Sequence, residues 1–549
     1  MPMIGLPDRQ RLELLAEQVK RLPTTAREAG VLRKTGLIPL TRPDQAAYAV
    51  HSLRRYGILG AAIRIAAKRH SDVLGLVDDL GELTFGDLDR RSNALANAWR
   101  ERGLDHSSVL ALLCRDHRGL VESMFAAGKL GAKVLLMNTG FAKPQFAAVC
   151  EREGASALVY DHEFTEILGA VPASIPRYLA WVDDGDTAEH DTIEHLIAGA
   201  DDAPARAPKE PGGLVLLTSG TTGTPKGAPR HVSSPFAAAQ FLDRIPLALG
   251  ERTFLGAPLF HGTGLSQFLL TISLGSTTIV RRRFDPRATL ETLAKYQVEE
   301  LVVVPTMLQR ILNLGADVIR SYDTSALRII FCAGSALPPD VGTRAMELFG
   351  PVVYNLYGST EVAVATVATP EDWKKAPGTV GRSPVGCTVR LYDEAGDRVT
   401  KADIVARVFV GSGLKFTGYT GGGGKEEIDG LLSSGDVGHF DADGLLFIDG
   451  RDDDMIVSGG ENVFPAEVEN LLVEHPAIAD AAVIGVKDEE FGQRLKAFVV
   501  LRDGQELDAD TVRGHVKANL ARHKVPREVE FIDTLPRNAT GKLLRGQLA

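Results

Sequence analysis

Residues 214–227 read Leu-Val-Leu-Leu-Thr-Ser-Gly-Thr-Thr-Gly-Thr-Pro-Lys-Gly, a stretch that changes character half-way. Its apolar opening, from Leu214 to Leu217, predicts a buried strand. Thr218, Ser219, Gly220, Thr221, Thr222 and Gly223 then supply hydroxyls and glycines, and Lys226 supplies a cation. Glycines let a backbone turn tightly enough for several N–H groups to converge on one anion. The chemistry is that of a polyphosphate cradle. A helix is expected beyond it, with Ser233 or Ser234 as N-cap and Pro235 at its first position. The loop is not a Walker A motif, which needs Gly-Lys followed by Ser or Thr; here Pro225 and Gly227 flank the lysine. A flexible surface loop is the plain alternative, but the order of residues is too particular for it.

The totals set bounds on the rest. A chain of 549 residues exceeds what one core supports, so at least two domains are expected. A net charge of −10 argues against nucleic acid as the main partner. Cys114, Cys150, Cys332 and Cys387 are scattered without metal-ligand spacing and read as buried free thiols. No apolar run is long enough to span a bilayer, and the charged N-terminus lacks the apolar core of a signal peptide, so a cytoplasmic location is expected.

Upstream of the loop, residues 109–113, 133–137 and 157–159 read as short buried strands separated by helical stretches such as 121–130. That alternation predicts a layered α/β fold. Residues 53–70 place Leu59, Ile63 and Ile65 among five basic side chains. Such a helix either docks its apolar side on the main domain or lies on an anionic membrane, and docking is the expectation. Downstream, His261 and Gly262 follow a strand-like run, 272–280 and 301–304 read as further strands, and Arg281, Arg282 and Arg283 read as a solvated turn. The segment 265–274 is apolar and suits either an alkyl-lined pocket or a core helix.

Five more segments carry chemistry. Gly334 and Ser335 form a small-residue turn after an apolar run, which permits a flat ligand close to the backbone. Residues 354–361, Tyr-Asn-Leu-Tyr-Gly-Ser-Thr-Glu, compress an aromatic face, an amide, a hydroxyl and a carboxylate into a few positions. Asp436 lies in Ser-Gly-Asp, and Arg451 precedes Asp452 and Asp453. Lys542 ends the run Pro-Arg-Asn-Ala-Thr-Gly-Lys at 536–542.

Together, in this order, these segments resemble the adenylate-forming superfamily, whose members include acyl-CoA synthetases, over about residues 59–549. The resemblance implies a large N-terminal α/β domain (59–452, with a β-rich subdomain) hinged to a small C-terminal α+β domain (453–549), after an extension at 1–58. It implies that Tyr357 stacks on adenine and Asn355 holds its edge, with Gly334 and Ser335 on the other face. Asp436 and Arg451 take the ribose, Thr360 the α-phosphate and Glu361 Mg²⁺. His261 and Gly262 border the acyl pocket, Asp452 and Asp453 form the hinge, and Gly459 and Gly460 line the path of CoA. Lys542 bridges the acid and the α-phosphate. The implied activity is ligation of a carboxylic acid to CoA through acyl-AMP, with ATP and Mg²⁺. A medium- or long-chain fatty acid is the expected substrate, with aryl acids second. Acyl carrier protein as acceptor, peripheral membrane contact through 53–70, and a silent acyl-adenylate sensor are the alternatives. Two positions depart from the family pattern: Ala406-Arg407 replaces Gly-Glu, and Gly418-Tyr419-Thr420 is followed by four glycines.

Overall fold

The computed structural model describes residues 24–37, 42–183, 185–188, 190–218, 226–230, 235–413, 418, 424–452, 455–458, 461–488, 492–538 and 541–548. Two mostly parallel sheets form the large domain. The first runs, edge to edge, Arg177–Trp181, Ala157–Asp161, Val109–Leu113, Lys133–Leu136, Leu214–Thr218 and Lys226–Arg230. The second has eight strands, with Glu300–Val303 and Ile329–Cys332 near its middle. Val109–Leu113 is buried along its whole length, as a parallel strand covered on both faces requires. Its residues divide by face: Leu110 and Leu112 join the core shared with the second sheet, whereas Val109, Ala111 and Leu113 join a separate outer core.

The shared core is a layer of helices between the sheets. It contains α1 (24–34), α2 (Pro43–His70), α3 (Arg118–Leu130) and α4 (Gly262–Ser273). Gly57, at φ 67°, breaks α2 into two limbs, a conformation a side chain would resist. Beyond the kink α2 docks on α3, as expected for 53–70: Leu59 and Ile63 are buried. The two helices meet backbone to backbone, since a Cβ on Gly128 would lie 2.4 Å from the nitrogen of Gly60. Phe125 and Phe268 join α3 to α4 by ring stacking at 5.7 Å.

Two local expectations need correction, and one strand is added. Residues 226–230 form a strand, antiparallel to Leu214–Thr218, ahead of the expected helix. The strand is at the sheet edge, where Pro229 removes no ladder hydrogen bond from a further neighbour. Pro235 does open a helical turn, Pro235–Ala238, while Ser233 and Ser234 lie outside the described residues. The run 272–280 divides: its start ends α4, and only Thr277–Val280 is strand. Arg282 is not solvated. Its guanidinium lies 4.4 Å over Trp181 and pairs with Glu163 at 2.8 Å and Asp183 at 2.7 Å, tying the two sheets together.

Glu300 gives the second sheet a pH dependence. It is 1 % exposed, takes a 2.8 Å hydrogen bond from the Thr253 hydroxyl on one oxygen, and has its other oxygen buried without a partner among the described residues. Burial pushes its carboxyl up to about 7 from an ordinary 4.5. A carboxyl raised on folding stabilises fully below its unfolded value and loses that contribution as pH rises through the folded one. Glu300→Gln keeps the Thr253 contact without the charge. It is expected to raise the unfolding free energy at pH 8 by up to about 3 kcal/mol, and at pH 5 by less than about 1 kcal/mol.

After the second sheet come a six-stranded antiparallel sheet within 388–451 and then the small domain. There Ile478–Asp488 and Gly492–Leu501 form a long hairpin, covered by the helices Pro465–Val473 and Ala509–Asn519. Among the described residues no helix is long and apolar enough to cross a membrane.

Candidate active site

One cleft of about 3060 Å³ runs between the large and small domains, at the carboxyl ends of the parallel strands. In open α/β sheets that edge is where ligands bind. His261, Gly262, Gly334, Ser335, Asn355, Tyr357, Thr360, Glu361, Asp436, Arg451 and Lys542 all line it. The chain thus brings together residues up to 281 positions apart, from His261 to Lys542.

Strands, a helix start and tight turns position them. Gly334 follows Ile329–Cys332 with φ 98°, which turns Ser335 into the cleft. Val353–Tyr357 carries Asn355 and Tyr357 on one strand two residues apart, hence on one face. Asn355 is 3 % exposed and its amide donates to the Thr379 carbonyl at 3.2 Å. The Tyr357 hydroxyl donates to Asp436, whose other oxygen accepts from Arg451 at 3.2 Å. Asp436 and Arg451 are register partners on adjacent strands, so pairing itself holds carboxylate and guanidinium together. Burial raises the Asp436 carboxyl, while Tyr357 and Arg451 pull it back down. The Ser359 hydroxyl donates to Glu361 at 2.9 Å and accepts from the Glu361 and Val362 amides, fixing the turn after Tyr357.

His261 sits at the N-cap position of α4 on the cleft wall, with its ring 4.6 Å from that of Phe260 between centroids. Its Nε2 is buried without a partner among the described residues, and burial pushes the imidazole down to about 4. The ring is therefore neutral at pH 7.

Lys542 is exposed on a loop that folds on itself. Its amide donates to the Asn538 side chain and its carbonyl accepts from the Asn538 amide, both at 2.9 Å. Arg537 braces the loop, donating to the Gly541 carbonyl at 2.8 Å and to both oxygens of Asp480. Across the cleft the loop meets α-helix Pro305–Leu312: a Cβ on Gly541 would lie 2.3 Å from the Thr306 hydroxyl. Asp480 and Thr306 escape the sequence reading. One is 57 positions from Arg537 and the other lies in a different domain, so no local pattern marks them.

Of the phosphate loop, the structure gives the backbone of Thr218 and Lys226, which are register partners across the hairpin. Both ends of the loop are therefore pinned at a strand pair. Ser219, Gly220, Thr221, Thr222 and Gly223 lie outside the described residues, as do Asp453, Gly459 and Gly460. Asp452 is described: its amide donates to the Gly435 carbonyl at 3.1 Å, and its carboxylate pairs with Arg407 at 3.4 Å.

This geometry coincides with a family match over most of the chain. Residues 63–420 match the model of AMP-binding enzymes, and residues 467–542 match that of their C-terminal domain. The chain belongs to the AMP-binding enzyme family. This AMP-binding enzyme is 34 % identical, over 85 % of its own length and 93 % of the relative's, to a feruloyl-CoA synthase of Amycolatopsis. It is 30 % identical to a fatty acid–acyl-carrier-protein ligase of Streptomyces coeruleorubidus, over 85 % and 91 % of the two chains. The solved anthranilate CoA ligase bound to anthranoyl-AMP superposes with a TM-score of 0.80 at 25 % identity, covering 89 % of this chain and 96 % of that one. The AMP-binding enzyme is an AMP-forming acid–thiol ligase, and its cosubstrates are ATP with Mg²⁺ and coenzyme A. The residues fit the ion: Glu361 offers a carboxylate held by Ser359 beside Thr360, and Mg²⁺ takes one or two carboxylates together with phosphate oxygens.

Proposed function

We propose that this ligase activates a medium- or long-chain fatty acid and transfers it to CoA. The observation that carries the reading is the cleft's continuation past His261 along α4, where Leu265, Leu269 and Leu270 line it together with Ser266 and Ser273. A neutral histidine at the entrance suits an uncharged tail better than a second anion.

In the first half-reaction a carboxylate oxygen attacks the α-phosphorus of ATP and pyrophosphate leaves. Two anions have to meet, so the chain's main task is to neutralise charge where it develops. Lys542 is assigned the contact to both anions, Lys226 the outer phosphates, and Thr360 a hydrogen bond to the α-phosphate. Thr218, Ser219, Gly220, Thr221, Thr222 and Gly223 form the cradle. Mg²⁺ at Glu361 would add positive charge on the phosphates. Tyr357, Asn355, Gly334 and Ser335 hold the base, while Asp436 accepts from the ribose hydroxyls beside Arg451. A carboxylate suits that role because it only accepts and has two oxygens.

In the second half-reaction the CoA thiol sulfur attacks the acyl carbon, its proton departs, and AMP leaves. The small domain is assigned a swing about Asp452 and Asp453 that withdraws Lys542 and opens the path past Gly459 and Gly460. The Arg407–Asp452 pair sits at that joint, so the unusual Ala406-Arg407 bears on the swing rather than on the chemistry.

A second reading keeps the adenylation and changes the acceptor, since one relative loads an acyl carrier protein. One experiment separates the choices: pyrophosphate release over fatty and aryl acids, with CoA, with a carrier protein, or with neither. Thioester on CoA with alkyl acids supports the reading. Turnover of aryl acids alone, or transfer to the carrier alone, replaces it.

A further inference from the structure

The family match begins at residue 63, yet the chain before it is part of the wall of the cleft. Leu32 is fully buried in the core shared by the two sheets. The Glu28 carboxylate lies where a Cβ on Gly386 would meet it at 2.5 Å, so α1 is seated against the β-rich part of the large domain. Leu32, Leu37 and Ile58 line the cleft together with Ala62 and Ile65 of α2. The opposite wall is α4, which presents Leu265, Leu269 and Ser273.

The groove between these walls has a direction. At one end, Thr263 on the first turn of α4 lies 3.6 Å from where a Cβ on Gly334 would sit, beside the proposed nucleotide site. At the other end, the His70 ring occupies the space a Cβ on Gly275 would need. Leu249 does the same at Gly36, and the Gly250 amide donates to the Leu274 carbonyl at 3.2 Å. The ends of α1 and α2 therefore meet the end of α4. At 1.5 Å per residue the twelve residues of α4 span about 18 Å. That is the length of an extended alkyl chain and several times that of one ring. Aliphatic side chains dominate the α1–α2 wall, α4 adds Leu265, Leu269 and Leu270 alongside Thr263, Ser266 and Ser273, and the charged Arg69 stands at the distal mouth.

We propose that the N-terminal residues 24–37 and 42–58 form the distal wall of the acyl groove and set the length of alkyl chain this ligase takes. The proposal rests on the alkyl-acid reading above. An alkyl tail gains transfer free energy with each buried methylene, so a groove closed by a few carbons should cut turnover of long acids and spare short ones.

The test is kcat/KM for pyrophosphate release over straight-chain saturated acids of increasing length, for wild type, Ser273→Trp, Leu37→Trp and Leu37→Ala. Both tryptophans are expected to lower the value for the longest acids about tenfold or more and to leave the shortest nearly unchanged. Leu37→Ala is expected to move the optimum towards longer chains, an effect that misfolding does not produce. An unchanged length profile in both Leu37 variants, with a shifted one in Ser273→Trp, overturns the role of the segment. Uniform loss at every length in the tryptophan variants, with no shift in Leu37→Ala, overturns it as well. If wild type turns over aryl acids and no alkyl acid, the functional reading itself falls, and this proposal with it.

Discussion

Lys542→Ala is expected to slow acyl-adenylate formation about a hundred- to a thousand-fold, while thioester formation from preformed acyl-adenylate stays nearly unchanged. The asymmetry follows from how the loop is built. Its shape comes from the Asn538 contacts, the Arg537–Asp480 pair and the Arg545–Glu469 pair, none of which uses the lysine ammonium. Alanine therefore removes a charge without removing the loop. In the proposed mechanism that charge serves only the step in which two anions meet, because the second half-reaction has a mixed anhydride and a thiol instead. Measuring the two half-reactions separately decides the matter. Equal loss in both would mean the substitution damages the small domain, and undiminished adenylation would remove Lys542 from the chemistry.

Asp436→Ala is expected to raise KM for ATP about a hundred-fold, from the loss of hydrogen bonds to a charged acceptor worth about 1.5–3 kcal/mol each. The substitution removes the proposed ribose acceptor and also takes one acceptor from the Tyr357 hydroxyl and the Arg451 guanidinium that now converge on it. Asp436→Asn keeps one acceptor oxygen and should recover part of the affinity. KM for the acid should move little in either variant. A matching rise in KM for the acid would show a general collapse of the cleft, and an unchanged KM for ATP would remove the ribose assignment.

Local patterns made much of this legible from the sequence. Strands such as Val109–Leu113 announce themselves by unbroken apolar runs, and the motif residues lie in short segments where several chemistries are crowded together. What escaped were features that depend on partners far along the chain. Arg282 reads as a surface cation until Glu163, Asp183 and Trp181 arrive from the other sheet. The strand Lys226–Arg230 contains a proline and a glycine, and only pairing with Leu214–Thr218 makes it a strand. Residues 24–58 show weak periodicity because α1 and the first limb of α2 bury scattered positions, such as Leu32, Ser52 and Tyr56, rather than one continuous stripe.

The cysteines have a practical consequence. All four are free; Cys114, Cys150 and Cys332 are buried, and Cys387 is largely covered. Burial pushes Cys150 and Cys387 up to about 12 and raises the other two thiols as well. Since the thiolate is the reactive form, the folded protein should be almost inert to maleimides and aromatic disulfide reagents at neutral pH. Free CoA then becomes the dominant titratable sulfhydryl in a reaction mixture, so its disappearance can be followed colorimetrically without a protein background. The same inertness makes slow alkylation of the enzyme a clock for its own unfolding.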